Sequence, residues 1–134
     1  MSGDTPRAPE LTVERVAFTT IPARDIPRAR TFYEDVLGLP VGKAGGRGDM
    51  WWVEYDLPGR GCVALTNATK HEPSRGAGAM LALEVRNLDA LIEHLKANDV
   101  EIAGDVIEGP RCRMCVCHDP EGNAILLHQL DATS

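Results

Sequence analysis

Apolar and polar positions along the chain follow two rhythms, and the order of those rhythms occurs twice. Val13 to Ile21 is apolar and rich in β-branched residues, the composition of a strand, and Pro22 ends it. In DIPRARTFYEDVLGL, Ile26, Ala29, Phe32, Tyr33 and Val36 recur at helical spacing. Asp25 suits the N-cap, Pro27 the first turn and Gly38 the C-terminal stop. Val41 to Ala44 reads as a short strand and AGGRGD as a glycine-rich connection. Met50 to Leu57 and Gly61 to Thr66 read as a hairpin around LPGR.

After the breaker-rich stretch NATKHEPSRGAG the order begins again. Ala79 to Arg86 reads as a strand. Asn87 caps a helix whose apolar face is Leu88, Leu91, Ile92 and Leu95. A short strand follows at Asp105 to Glu108, then a hairpin of Cys112 to His118 and Ala124 to Gln129 around DPEGN. Asp25 answers to Asn87, and DLPGRGCVAL to DPEGNAILL, with a period of about 63 residues. Each half alone leaves a sheet face uncovered, so the two are expected to pack together. The expected divisions are a disordered tail over 1–11, a first module over 12–66, a linker over 67–78 and a second module over 79–131.

Composition narrows the classes of partner. The chain of 134 residues carries a formal charge of −6, with its cations scattered. That argues against nucleic acid or an anionic membrane, both of which need concentrated basic surface. No apolar run approaches the roughly 20 residues of a membrane span, and the polar start lacks a signal-peptide core. The expectation is a cytoplasmic protein whose four cysteines stay reduced.

Three of those cysteines and a histidine crowd into CRMCVCH. In a strand, alternation puts Cys112, Met114, Val116 and His118 on one side and Arg113, Cys115 and Cys117 on the other. A metal cluster needs convergent donors, and a redox CxxC usually sits at a turn or helix start. Small apolar thiols filling a buried strand are therefore the first reading, ahead of a reactive thiol or a zinc site.

FYEDVLGL and DPEGN, with the duplicated order of elements, make the chain resemble the vicinal oxygen chelate superfamily of glyoxalase, bleomycin-resistance and extradiol dioxygenase proteins. The resemblance spans roughly Val13 to Leu130. It implies an α+β fold: two βαβββ modules forming one curved mixed sheet around a cleft, with helices on the convex side. It also implies homodimers with sites at or near the interface. Metal-dependent members hold a divalent ion with His, Gln or Glu from sheet strands. The matching positions here are Phe18, Met80, Leu126 and either Val63 or Ala64. None of these side chains serves as a usual ligand for zinc, nickel, manganese or iron. The expectation is no cofactor and no divalent metal.

In the family the face bearing Leu126 lines the cleft. If DPEGN closes a hairpin with His118 opposite Ala124, then Cys112, Met114, Val116, His118, Leu126 and His128 share that face, while Cys115, Cys117, Ile125 and Leu127 pack under a helix. Phe18, Thr20, Trp52, Met80, Met114, His118 and Leu126 are the candidate ligand-binding residues. Trp51 and Trp52 must point to opposite faces, one to a pocket and the other to packing. Arg111 and Arg113 are either carboxylate binders or solvated surface.

His128 and Glu84 are the candidate catalytic residues. A buried imidazole acts as acid, base or hydrogen-bond partner, or is simply satisfied by a carbonyl or water. Glu84 alternates with Met80 and Ala82 and would need a partner on that face; a Glu84–His128 pair supplies it. The first functional expectation is a binding protein of the bleomycin-resistance type, holding a small organic molecule in a mainly apolar cleft. The alternatives are a lyase, isomerase or dioxygenase of the same superfamily. It would be either metal-independent through His128 and Glu84 or dependent on a displaced metal held by residues such as His118, His128 and Glu84.

Overall fold

The computed structural model describes residues 16–59, 61–69, 71–76 and 79–131. The tail expected over 1–11, the start of the first expected strand at Val13 to Arg15, and part of the expected linker lie outside the described residues. In the first module, β1 (Thr19–Pro22) leads to α1 (Ile26–Arg30), then β2 (Val41–Arg47), β3 (Met50–Leu57) and β4 (Gly61–Thr66). In the second, β5 (Leu81–Glu84) leads to α2 (Leu88–Ala97), then β6 (Glu101–Gly109), β7 (Cys112–His118) and β8 (Ala124–Leu130). The expected α+β fold of two βαβββ modules is present. Its sheet consists of two four-stranded mixed sheets, ordered β1-β4-β3-β2 and β5-β8-β7-β6. Among the described residues no helix is long and apolar enough to cross a membrane.

The duplication is visible in the register. Thr19 pairs with Val63 in the parallel β1–β4 ladder, and 62 positions later Leu81 pairs with Ile125 in β5–β8. Both parallel ladders are four residues long, shorter than the strands read from Val13 to Ile21 and Ala79 to Arg86. The expected hairpins of β3–β4 and β7–β8 are both found, with His118 opposite Ala124, Val116 opposite Leu126 and Met114 opposite His128.

Both helices start where a side chain substitutes for a missing helical acceptor. Asp25 Oδ1 accepts from the Arg28 amide at 3.1 Å, and Asn87 Oδ1 from the Ala90 amide at 3.1 Å. The first helical stretch does not keep a 3.6-residue rhythm to Val36. At Thr31–Val36 it widens into a π-turn, closed by the Leu37 amide donating to the Phe32 carbonyl at 2.9 Å. Two adjacent aromatics on this turn, Phe32 and Tyr33, are both buried.

Two further strands run longer than their apolar runs suggest. AGGRGD is not merely a connection, because β2 continues to Arg47. Its glycines allow close approach: a Cβ on Gly46 would fall 2.3 Å from the Met50 carbonyl oxygen. The strand expected at Asp105 to Glu108 extends over Glu101–Gly109 and absorbs a bulge between Ala103 and Ile107.

One core joins the modules. Tyr33, Val53, Tyr55 and Leu65 from the first cluster with Leu88, Leu95, Cys117 and Leu127 from the second. Full burial of a leucine-sized side chain contributes roughly 1.5–3 kcal/mol. The DPEGN turn then clamps the start of α1. Asp119 Oδ1 accepts the amides of Glu121 and Asn123 at 2.9 and 2.8 Å, which shapes the turn. Asp119 Oδ2 accepts the Tyr33 hydroxyl at 2.6 Å, and Asn123 Nδ2 donates to the Pro22 carbonyl at 2.8 Å. The almost covered Glu121 carboxylate accepts from Arg28 Nη2 at 2.6 Å and from the Arg24 and Asp25 amides.

Candidate functional site

Alternation along the strands gives each sheet a core face and an open face. Cys115, Cys117, Ile125 and Leu127 are buried under the helices, as expected. Burial pushes the Cys115 thiol up and the Cys117 thiol to about 12, the opposite of what a nucleophilic thiolate needs. All four cysteines are free thiols. Cys112 and Cys115 fall on opposite faces of β7, so the CxxC spacing does not converge.

The open face of the second sheet carries Met80, Ala82, Glu84, Val116, Met114, Leu126 and His128. This follows from the pairing of Ala82 with Leu126, Glu84 with His128, Val116 with Leu126 and Met114 with His128. His128 Nδ1 lies 2.6 Å from Glu84 Oε1, and Glu84 Oε2 accepts the Leu130 amide at 2.8 Å. The hydrogen bond from His128, then that from Leu130, holds the Glu84 carboxyl below its ordinary value. The backbone thus fixes the carboxylate, and the carboxylate fixes the ring.

On the first sheet the open face carries Phe18, Thr20, Trp52, Glu54, Asp56, Cys62 and Ala64. Trp52, not Trp51, is on this side, because Val53 and Tyr55 take the buried positions between. Phe18 and Trp52 meet edge to face with centroids 5.2 Å apart, and Trp52 Nε1 donates to Glu54 Oε2 at 2.8 Å. Glu54, Asp56 and Cys62, none of them among the residues expected at the site, bring donor atoms within 4.8 Å of one another. The signal was available in the alternation of MWWVEYDL. Burial, and the neighbouring Glu54 and Asp56 charges, push the Cys62 thiol up.

The register also resolves the fourth family metal position. Leu126 pairs with Ala82 and Ala64 with Thr20, each two residues beyond Met80 and Phe18 respectively. The equivalent of Leu126 is therefore Ala64 rather than Val63. Phe18, Ala64, Met80 and Leu126 offer three hydrocarbons and one thioether, which do not fit a hard or borderline divalent cation. Phe18 and Met80 are 42% and 44% exposed, unusually open for large apolar side chains at equivalent places.

One cavity borders these faces and a second lies on the helix side. The first, of about 640 Å³, lies between β1 and β5 and includes Thr20, Met80 and Ala82, with His71 and Arg75 from the connection between modules. The second, of about 460 Å³, lies beside α2 and includes His118. His118 is thus separated from the other candidates. It pairs with Ala124 while His128 pairs with Met114, four residues back along β7. That spacing is roughly 13 Å along a strand. One ion cannot bridge it, so the set His118, His128 and Glu84 is not brought together. Arg113 is engaged by Asp89 and Glu108 on the helix side, as solvated surface.

A family model described as the glyoxalase/bleomycin resistance protein/dioxygenase superfamily matches residues 15–127. The chain belongs to that superfamily. Among solved structures, it is similar to TnmS3, an antibiotic binding protein from Streptomyces sp. CB03234. Identity is 22%, coverage is 90% of this chain and 98% of that one, and the TM-score is 0.75. A glyoxalase family protein from Bacillus cereus is 17% identical over 94% of this chain and 100% of its own, with a TM-score of 0.77. A domain of the same superfamily from Frankia sp. EAN1pec is 17% identical over 92% and 96%, with a TM-score of 0.72. At these identities the likeness is one of fold. No curated protein sequence matches the chain.

Proposed function

We propose that this superfamily member binds a small organic molecule against a mainly apolar cleft and does so without the family's metal. The observation that carries the reading is the donor set at the four family positions: Phe18, Ala64, Met80 and Leu126 present nothing for a cation and much for an apolar body. Met114, Val116 and the Phe18–Trp52 pair extend the same character. Small-molecule sites are commonly apolar surfaces with a few polar groups that set orientation. Glu84–His128 on one sheet and Thr20 with Glu54 on the other supply those groups. Sequestration is a use this fold serves in at least one similar structure, the antibiotic binding protein TnmS3. Exposed Phe18, Met80, Ile107 and Leu130 support a homodimer in which a second copy covers part of these faces. Four free thiols support a cytoplasmic setting.

A second reading is favoured by one contact, the 2.6 Å Glu84–His128 pair. With Nδ1 committed to the carboxylate, Nε2 of the neutral ring is left to accept a proton, the arrangement of a general base in a metal-independent lyase or isomerase. His128→Ala separates the two. Sequestration predicts weakened binding and no turnover in either protein. Catalysis predicts turnover in the wild type that the variant loses.

A further inference from the structure

Each sheet ends in two edge strands, and the edges are not alike. β2 and β6 close the sheets on one side; β1 and β5 close them on the other, and both line the first cavity, of about 640 Å³. The β2 and β6 edges are guarded against a further strand. β2 carries Lys43, Arg47 and a register shift between Val41 and Ala44, and β6 carries Asp105, Glu108 and the bulge between Ala103 and Ile107. Where β1 and β5 line the cavity their sequences are TTIP and AMLA, with no charge and an unbroken register.

The ladders show which main-chain groups those two edges offer. In a parallel pair, every second residue turns both its N–H and its C=O to the neighbour, and the residues between turn theirs away. The Ala23 amide donates to the Thr66 carbonyl at 3.0 Å, and the Val85 amide to the His128 carbonyl at 2.8 Å. Counting back in twos, Ile21 and Thr19 face β4, while Leu83 and Leu81 face β8. Thr20, Pro22, Met80 and Ala82 therefore point their main-chain groups away from the ladders. Pro22 has no N–H, and its carbonyl already accepts from Asn123 Nδ2 at 2.8 Å. The N–H and C=O of Thr20 and of Ala82 remain, at equivalent positions of the two modules, and both residues are exposed.

No carboxylate is among the described residues lining this cavity, and its guanidinium, Arg75, is tied to Glu101 at 3.1 Å. Ile21 and Met80 add apolar surface. Main-chain donors and acceptors beside apolar side chains match the edge of an extended peptide. We propose that the molecule taken up between β1 and β5 is peptide-like: an uncharged compound of one or two capped residues whose amides pair with the free edges at Thr20 and Ala82. This deepens the reading of the cleft as a site for a small organic molecule and rests on it.

The test uses the full chain and two probes of one shape, N-acetyl-phenylalanine methylamide and the same compound methylated on the phenylalanine nitrogen. Binding is followed by amide chemical shifts and hydrogen exchange. The first probe should saturate, with its largest shifts at Thr20 and Ala82, and should slow exchange of those two amides about fivefold. The methylated probe, which lacks the central N–H, should bind about tenfold more weakly. Ala82→Pro removes an N–H that faces away from β8, a place where an edge strand accepts proline, and should weaken the first probe about fivefold. Continued protection of the Leu83 and Val85 amides reports that the variant is folded; the comparison of the two probes on the wild type does not depend on it. Equal binding of the two probes overturns the pairing of amides but leaves an apolar cleft standing. Absence of saturation by either probe also overturns it, and Trp52 fluorescence then reads separately whether the cleft holds other organic molecules. Protection of Thr20 and Ala82 that rises with protein concentration in the absence of probe would assign the edges to a second copy of the chain and overturn the proposal as well.

Discussion

The two modules share one backbone plan and differ in what they place on their open faces. At equivalent positions the first has Phe18, Thr20 and Ala64, the second Met80, Ala82 and Leu126. The first adds Trp52, Glu54 and Asp56; the second adds Met114, Val116 and a histidine–carboxylate pair. The core faces are under another constraint. Both must fill one shared interior, so Tyr33 and Tyr55 on one side meet Leu95 and Leu127 on the other. Register is set by the buried face, which leaves the open face free to change its chemistry without endangering the fold.

Adjacent leucines give the sharpest contrast between these faces. Leu127→Ala, in the core, should cost about 2–5 kcal/mol in urea unfolding, while Leu126→Ala, on the open face, should cost less than about 1 kcal/mol. Similar losses at both sites would mean that the open face is covered within the single chain. Next in size is Tyr33→Phe. It removes the hydroxyl donated to the buried Asp119 and should cost about 1–3 kcal/mol, although the ring remains.

The clamp between modules predicts a pH dependence. Burial raises the Glu121 carboxyl, but the Arg24 and Asp25 amides and the Arg28 guanidinium outweigh it and hold it below its ordinary 4.5. A group whose folded value is depressed stabilises the fold above its unfolded value. That contribution is lost as pH falls through the folded one. Wild-type stability should therefore decline below about pH 4.5 partly through this residue. Glu121→Gln should lose roughly 1 kcal/mol at neutral pH and show a shallower acid decline. The smallest effect belongs to Glu84→Gln. Its carboxylate is half-exposed, so stability should change by less than about 0.5 kcal/mol. A larger loss would mean that the pair is part of the structural core.

Much of this was legible in the residues. Capping by Asp25 and Asn87, both hairpins, the β7–β8 register and the Glu84–His128 contact follow from alternation, helical spacing and turn chemistry. The π-turn was not, because the spacing of Ala29, Phe32, Tyr33 and Val36 equally suits a regular helix. The glycines of AGGRGD looked like a connection because Gly46 serves to let the Met50 backbone approach, which no local pattern reveals. The separation of His118 from the other candidates came from its place at the very end of β7, where alternation no longer decides which cavity a side chain meets.

On the proposed reading the open faces hold an organic molecule at the positions where metal-dependent members of the superfamily hold an ion. Its most direct test is a fluorescence titration of Trp51→Phe protein, in which Trp52 is the remaining tryptophan, with a panel of aromatic antibiotics, with and without EDTA. Saturable quenching by at least one compound is expected, with an affinity that chelation does not change. Quenching that requires added zinc or nickel, or none across the panel, would contradict it.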